Sequence, residues 1–117
     1  AINTSTRMGI VGEPLAVPQA ADKQKKLLKE LETMSVRVIG NKGSLLGRGQ
    51  GKDVMEHPLR SVIWLAQALK KQGLSLQPGQ YVNVGTFSPM LRPTAGEQVT
   101  VAYLGLTGAR SVMVKFE

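Results

Sequence analysis

Gly47-Arg48-Gly49-Gln50-Gly51-Lys52-Asp53-Val54-Met55-Glu56-His57-Pro58-Leu59, followed by Ser61-Val62-Ile63-Trp64-Leu65-Ala66-Gln67-Ala68-Leu69, is the stretch that decides how this chain folds. Alternating glycines weaken a strand, but they let it twist and let another backbone come close. Pro58 fits the first turn of a helix, where its missing N–H costs nothing. Leu59, Val62, Ile63, Ala66 and Leu69 then fall on one stripe, which predicts a helix with that stripe and Trp64 in the core. Gly73 supplies a left-handed stop. A strand followed by a helix is therefore expected here, with glycines at the hinge.

Working upstream, Ser35 to Ile39 alternates, with Val36 and Val38 on one face, and Gly40-Asn41-Lys42-Gly43 supplies turn chemistry. Ser44 to Gly47 returns as the second strand of a hairpin. Before it, Leu27, Leu28, Leu31 and Met34 share a helical face while the lysines point elsewhere, so residues 20–34 read as a basic helical insertion. Residues 1–19 have no period and contain Gly9, Gly12, Pro14 and Pro18, the pattern of an extended arm. Downstream, Pro78-Gly79 turns the chain into a short strand, Tyr81 to Val84, which ends at Gly85-Thr86-Phe87-Ser88-Pro89. Gln98 to Leu104 alternates, as do Val112, Val114 and Phe116, and Gly105-Leu106-Thr107-Gly108 joins the two tightly. The predicted fold class is α+β: a β-rich single domain over residues 1–117, with a strongly bent mixed sheet around the one main helix.

Composition narrows the function classes. The chain has 117 residues and a formal charge of +7, from 15 basic and 8 acidic side chains, so its surface attracts anions. Aromatics for base stacking are few, which argues against a nucleic-acid partner. There is no cysteine, hence no disulfide or thiolate metal site. No apolar run is long enough for a membrane helix and no signal-peptide pattern opens the chain, so a cytoplasmic protein is expected. The chain begins at Ala1, which reads as a trimmed protein or a fragment.

Few residues look chemical. The run Gly47-x-Gly49-x-Gly51-Lys52 fails as a phosphate loop, because Leu46 stands where the first glycine belongs and Asp53 where Ser or Thr would hold magnesium. Close strand packing accounts for it better. His57, the only histidine, has no nucleophile motif to serve and reads as a cap or packing residue at the helix start. Glu30-Leu31-Glu32 is the only Glu-x-Glu; paired carboxylates hold hard cations, but residues two apart on a helix diverge, and these lie among lysines. Arg7 and Arg92 could each grip a carboxylate or simply be solvated.

The order of these motifs resembles the 2-keto-4-pentenoate hydratase / 4-oxalocrotonate decarboxylase family, relatives of the fumarylacetoacetate hydrolases, in its C-terminal portion only. Two blocks carry the resemblance, residues 3–12 and about 36–117. Asn3-Thr4-Ser5-Thr6 before Ile10-Val11-Gly12 is similar to the family's Asn-x-Ser-Ser segment. Val36 to Gly43 with Gly47-x-Gly49 is similar to its hairpin, and His57-Pro58 with Ser61-Val62-x-Trp64-Leu65 to its helix. Gly85-Thr86 stands where the family has Gly-Ser at the substrate pocket, and Ala95-Gly96-Glu97 fits the turn that follows.

The resemblance implies a metal-dependent hydratase, or a related decarboxylase, acting on 2-keto acids from aromatic-ring breakdown. Asn3, Ser5, Gly85 and Thr86 would be its substrate-binding residues. It implies magnesium for a full-length member, yet no metal ligand and no cofactor in this chain, since the family's acidic ligands and active-site lysine lie upstream of the Asn-x-Ser segment. Arg7 stands where the family has glycine, and Val84 replaces a small hydroxyl residue. The expected partners are a small 2-keto acid and either an upstream segment or a second copy of the chain. A non-catalytic small-molecule-binding or assembly module on the same scaffold is the alternative.

Overall fold

The first helix pairs some of its charges along its own surface, for roughly a few tenths of a kcal/mol each. In the computed structural model, which describes residues 8–117, α1 spans Ala21–Thr33. Asp22 lies in its first turn, where a carboxylate favours the positive end of the helix. Lys26 meets Glu30 at 3.6 Å and Lys29 meets Glu32 at 2.9 Å along its surface. The helix ends at Met34, whose backbone turns extended and whose side chain is buried.

Strand β1, Ser35–Ile39, follows at once and is the centre of the fold. Val36 and Val38 are buried while Arg37 between them is exposed, as the period of two demands. The Asn41–Gly43 turn, with Lys42 and Gly43 left-handed, reverses the chain into β2, Leu45–Gln50. That strand runs three residues further than its apolar pattern predicted, through Arg48, Gly49 and Gln50. Two later strands complete the sheet, β3 (Gln98–Leu104) and β4 (Val112–Lys115). Their order is β2-β1-β3-β4 and every ladder is antiparallel, where a mixed sheet was expected. The long return from β2 to β3 lets β3 pair with β1 from its other side. Among the described residues the domain is α+β, with four strands and two α-helices.

Helix α2, Pro58–Lys71, forms where the sequence placed it. The His57 ring accepts the Leu59 N–H at its start, and Gly73 closes its end, with the Leu74 N–H donating to the Leu69 carbonyl. Its stripe is not in the core, however. Ile63 and Trp64 are each 56% exposed, Leu59 is exposed as well, and Pro58 is the one buried residue of the helix. Periodicity marks which face of a helix is apolar; it does not provide the layer that covers it.

A second correction concerns Tyr81 to Val84, which is not a strand. Val82 and Val84 are half-buried while Tyr81 and Asn83 are exposed, so the alternation is there. No strand among the described residues pairs with it, and a ladder needs a partner for its N–H and C=O groups. The buried apolar core is accordingly small: Met34, Val36, Val38, Val54 and Val99. The chain exposes 9302 Å², against roughly 6,200 Å² for a compact monomer of this mass. No helix among the described residues is long and apolar enough to cross a membrane.

Candidate functional site

The glycine run works as a seat for other segments. A Cβ on Gly49 would run into the Phe87 carbonyl and lie 2.9 Å from the Phe87 Cβ. One on Gly47 would lie 2.8 Å from the Ser88 Cβ. The Phe87–Ser88 segment thus crosses directly over β2, and only bare backbone lets it do so. Gly51 does the same for α1: a Cβ there would strike the Leu31 carbonyl, and the Gly51 N–H donates to the Met34 carbonyl at 2.9 Å. Three glycines two residues apart therefore dock a loop onto β2 and a helix end onto the turn that follows it. No phosphate cradle is formed.

This docking places Gly85 and Thr86. Gly85 has φ +131°, a conformation that side chains resist, and a Cβ would lie 3.3 Å from Val54 Cγ1. Its N–H donates to Asn83 Oδ1 at 3.0 Å. The Thr86 hydroxyl donates to the Ser88 carbonyl at 2.8 Å and accepts from the Ser88 N–H at 3.4 Å. The Gly85 N–H and the Thr86 hydroxyl are thus satisfied within the turn, and both residues are exposed at the surface. Asn3 and Ser5, the other expected substrate-binding residues, lie outside the described residues, as does Arg7. Arg92 is exposed.

His57 is held from both sides. Nδ1 accepts from the Leu59 N–H at 3.1 Å, so the proton sits on Nε2, which donates to the Leu28 carbonyl at 3.0 Å. The ring caps α2 and ties it to α1, which fits a structural role. It also lies in an open cleft of about 880 Å³ between the helices, floored by Leu28, Leu59 and Ile63. The charges around the cleft are largely paired, Lys29 with Glu32 and Arg60 with Glu56.

Glu30 and Glu32 diverge, as their spacing on a helix requires. Glu30 reaches the β3–β4 turn, accepting from the Thr107 hydroxyl at 2.7 Å and the Thr107 N–H at 3.0 Å. These two bonds, aided by Lys26, hold its carboxyl below the usual glutamate range despite the opposing effect of burial. Glu32 is lowered too, mainly by the hydrogen bond and charge of Lys29. Each carboxylate already has partners, and the two face different neighbours. They do not fit a divalent-cation site, and the described residues hold no cluster of three His, Asp or Glu that does. Sequence reading missed Thr107 as the partner of Glu30, since nothing local joins residues so far apart in the chain.

Known proteins share the fold over much of this chain. A solved 4-oxalocrotonate decarboxylase from Pseudomonas putida G7, complexed with calcium and acetate, superposes with a TM-score of 0.66 at 31% identity. The chain is a partial member of the 2-keto-4-pentenoate hydratase / 4-oxalocrotonate decarboxylase family. The match covers 75% of this chain and 32% of that one. A second structure of the decarboxylase, complexed with magnesium and adipate, gives the same values. In sequence, the Pseudomonas putida 4-oxalocrotonate decarboxylase is 30% identical over 68% of this chain and 31% of its own length. The 2-keto-4-pentenoate hydratase 2 of Dechloromonas aromatica (strain RCB) is 36% identical over 53% of this chain and 24% of its own. The chain thus spans about a third or less of these relatives. No family model matches it.

Proposed function

We propose that this chain is the C-terminal portion of a 2-keto-4-pentenoate hydratase-like scaffold, forming one wall of a pocket for a small 2-keto acid. The observation that carries the reading is the decarboxylase match, which covers most of this chain with a third of its partner. The Gly85–Thr86 turn supplies the wall: the Gly85 N–H and the Thr86 hydroxyl are donors suited to a carboxylate or keto oxygen once they exchange their local partners. Asn3 and Ser5 would join them.

A divalent ion, as bound in the solved relatives, would supply Lewis-acid polarisation of the keto group. This chain's carboxylates do not fit it, so its ligands belong to a complementary segment. The uncovered faces of Ile63, Trp64 and Leu59 fit the same reading, because an apolar helix face of that size is ordinarily packed against a further layer. Alone, the chain is expected to be inactive and to self-associate or take up that segment.

Titration of the isotope-labelled chain with 2-oxopentanoate should move the Gly85 and Thr86 amide resonances. The same chain with magnesium should not hydrate a 2-hydroxydienoate. Shifts confined to other regions would remove the pocket wall, and turnover abolished by a chelator would show that metal ligands lie within these residues.

A further inference from the structure

We propose that Arg37 and Arg48 form a binding site for a small phosphate anion on the open face of the sheet. The register of β1 and β2 places the two arginines directly opposite each other. Both are exposed, and they point away from the face on which Gly47 and Gly49 receive the Phe87–Ser88 segment. Cross-strand neighbours of this kind have Cβ atoms about 5 Å apart, and like charges so placed are destabilising. Neither arginine forms a salt bridge among the described residues, although Lys26, Lys29, Arg60 and Arg110 all do. The sheet thus places two arginines side by side, neither of them paired with a carboxylate among the described residues.

The surroundings are those of an oxyanion site. A cleft of about 560 Å³ runs beside the pair, lined also by Ser35, Gln50 and Asp53. Ser35 and Gln50 are the adjacent cross-strand pair on the same face and bring a hydroxyl and a carboxamide. The Gln50 side chain accepts the Asp53 N–H, so its NH₂ group remains a donor. Asp53 is the opposing charge; its carboxylate is held by the Gln50 N–H at 2.7 Å. Two rigid forks flanked by neutral donors suit a tetrahedral anion, whose oxygens can accept from both arginines at once. A free phosphate ion and the phosphate of a small monoester share that chemistry.

Nuclear magnetic resonance of the full chain, following the arginine Nε–H signals, tests the site with inorganic phosphate and with glycerol phosphate. Saturable shifts at Arg37 and Arg48 are expected, with a dissociation constant of about 1 mM. Response to both ligands marks a site for the phosphate group in either form, and response to one alone identifies its source. Arg37→Gln and Arg48→Gln should each weaken binding about tenfold. With the repulsion gone, they should also raise the unfolding midpoint in phosphate-free buffer. Asp53→Asn, which keeps an acceptor for the Gln50 N–H, should tighten binding about threefold, a gain that misfolding cannot imitate. Linear drift without saturation would overturn the proposal, as would equal binding by the glutamine variants or the same response to chloride. Binding of a short oligonucleotide without binding of phosphate would overturn it in favour of an extended polyanion surface.

Discussion

Replacing Gly49 with alanine puts the seat of the Phe87–Ser88 segment on trial. An alanine in a strand ordinarily gains about 0.5–1 kcal/mol over glycine, because the unfolded chain has less freedom to lose. Here the new methyl would meet the Phe87 carbonyl and the Phe87 Cβ. Overpacking costs typically 1–3 kcal/mol, and the upper part of that range applies because the obstacle is backbone and cannot rotate aside. The net expectation is a loss of about 1–2 kcal/mol. In urea this lowers the midpoint by about 1 M for a slope of about 1.5 kcal/mol/M, a clear shift for a domain of this size. Gly47→Ala meets the Ser88 Cβ at 2.8 Å but no backbone carbonyl, and should cost less. Gly9→Ala meets nothing within 4 Å and should be neutral. The graded order Gly49, Gly47, Gly9 is the signature of a docked segment. A Gly49→Ala chain as stable as the parent would refute the docking and with it the placement of Gly85 and Thr86.

Two further outcomes follow from the capping and ion-pair geometry. His57→Ala removes both the helix cap and the bond to Leu28, for a loss of about 2 kcal/mol by urea denaturation, whereas His57→Asn keeps a capping acceptor and should lose about 1 kcal/mol. Glu30 has a lowered folded pKa, so the stability its ionised form provides is present above the ordinary glutamate range and is lost as pH falls through the lowered value. Glu30→Gln should therefore be less stable than the parent at neutral pH and converge with it in acid; a stability gap independent of pH would contradict the Thr107 contact.

Local signals were legible wherever the chain supplies both halves of an interaction. The β1–β2 hairpin could be read from Val36, Val38 and the Gly40–Gly43 turn, and α2 from Pro58 and its stripe, because neighbours in sequence make these contacts. The partner of Glu30 could not, since Thr107 lies on a distant hairpin. Arg37 and Arg48 became a pair only once the register was fixed; a shift of one residue would have sent one of them to the other face. Tyr81 to Val84 had the pattern of a strand and lacked the neighbour that makes one.

By itself, the sequence determined the α+β class, the positions of both helices, the approximate place of the four strands with Tyr81 to Val84 as one too many, and the resemblance to the hydratase and decarboxylase family, since period, caps and turn residues act over a few positions. Tertiary structure decided what those elements touch. It made the sheet antiparallel, used the three glycines to dock Phe87–Ser88 and the end of α1, sent Glu30 and Glu32 to different partners, and left Ile63 and Trp64 uncovered. The physical reason is that an apolar stripe or a strand pattern states a demand for a partner, and only the three-dimensional arrangement of the chain decides whether that partner is present.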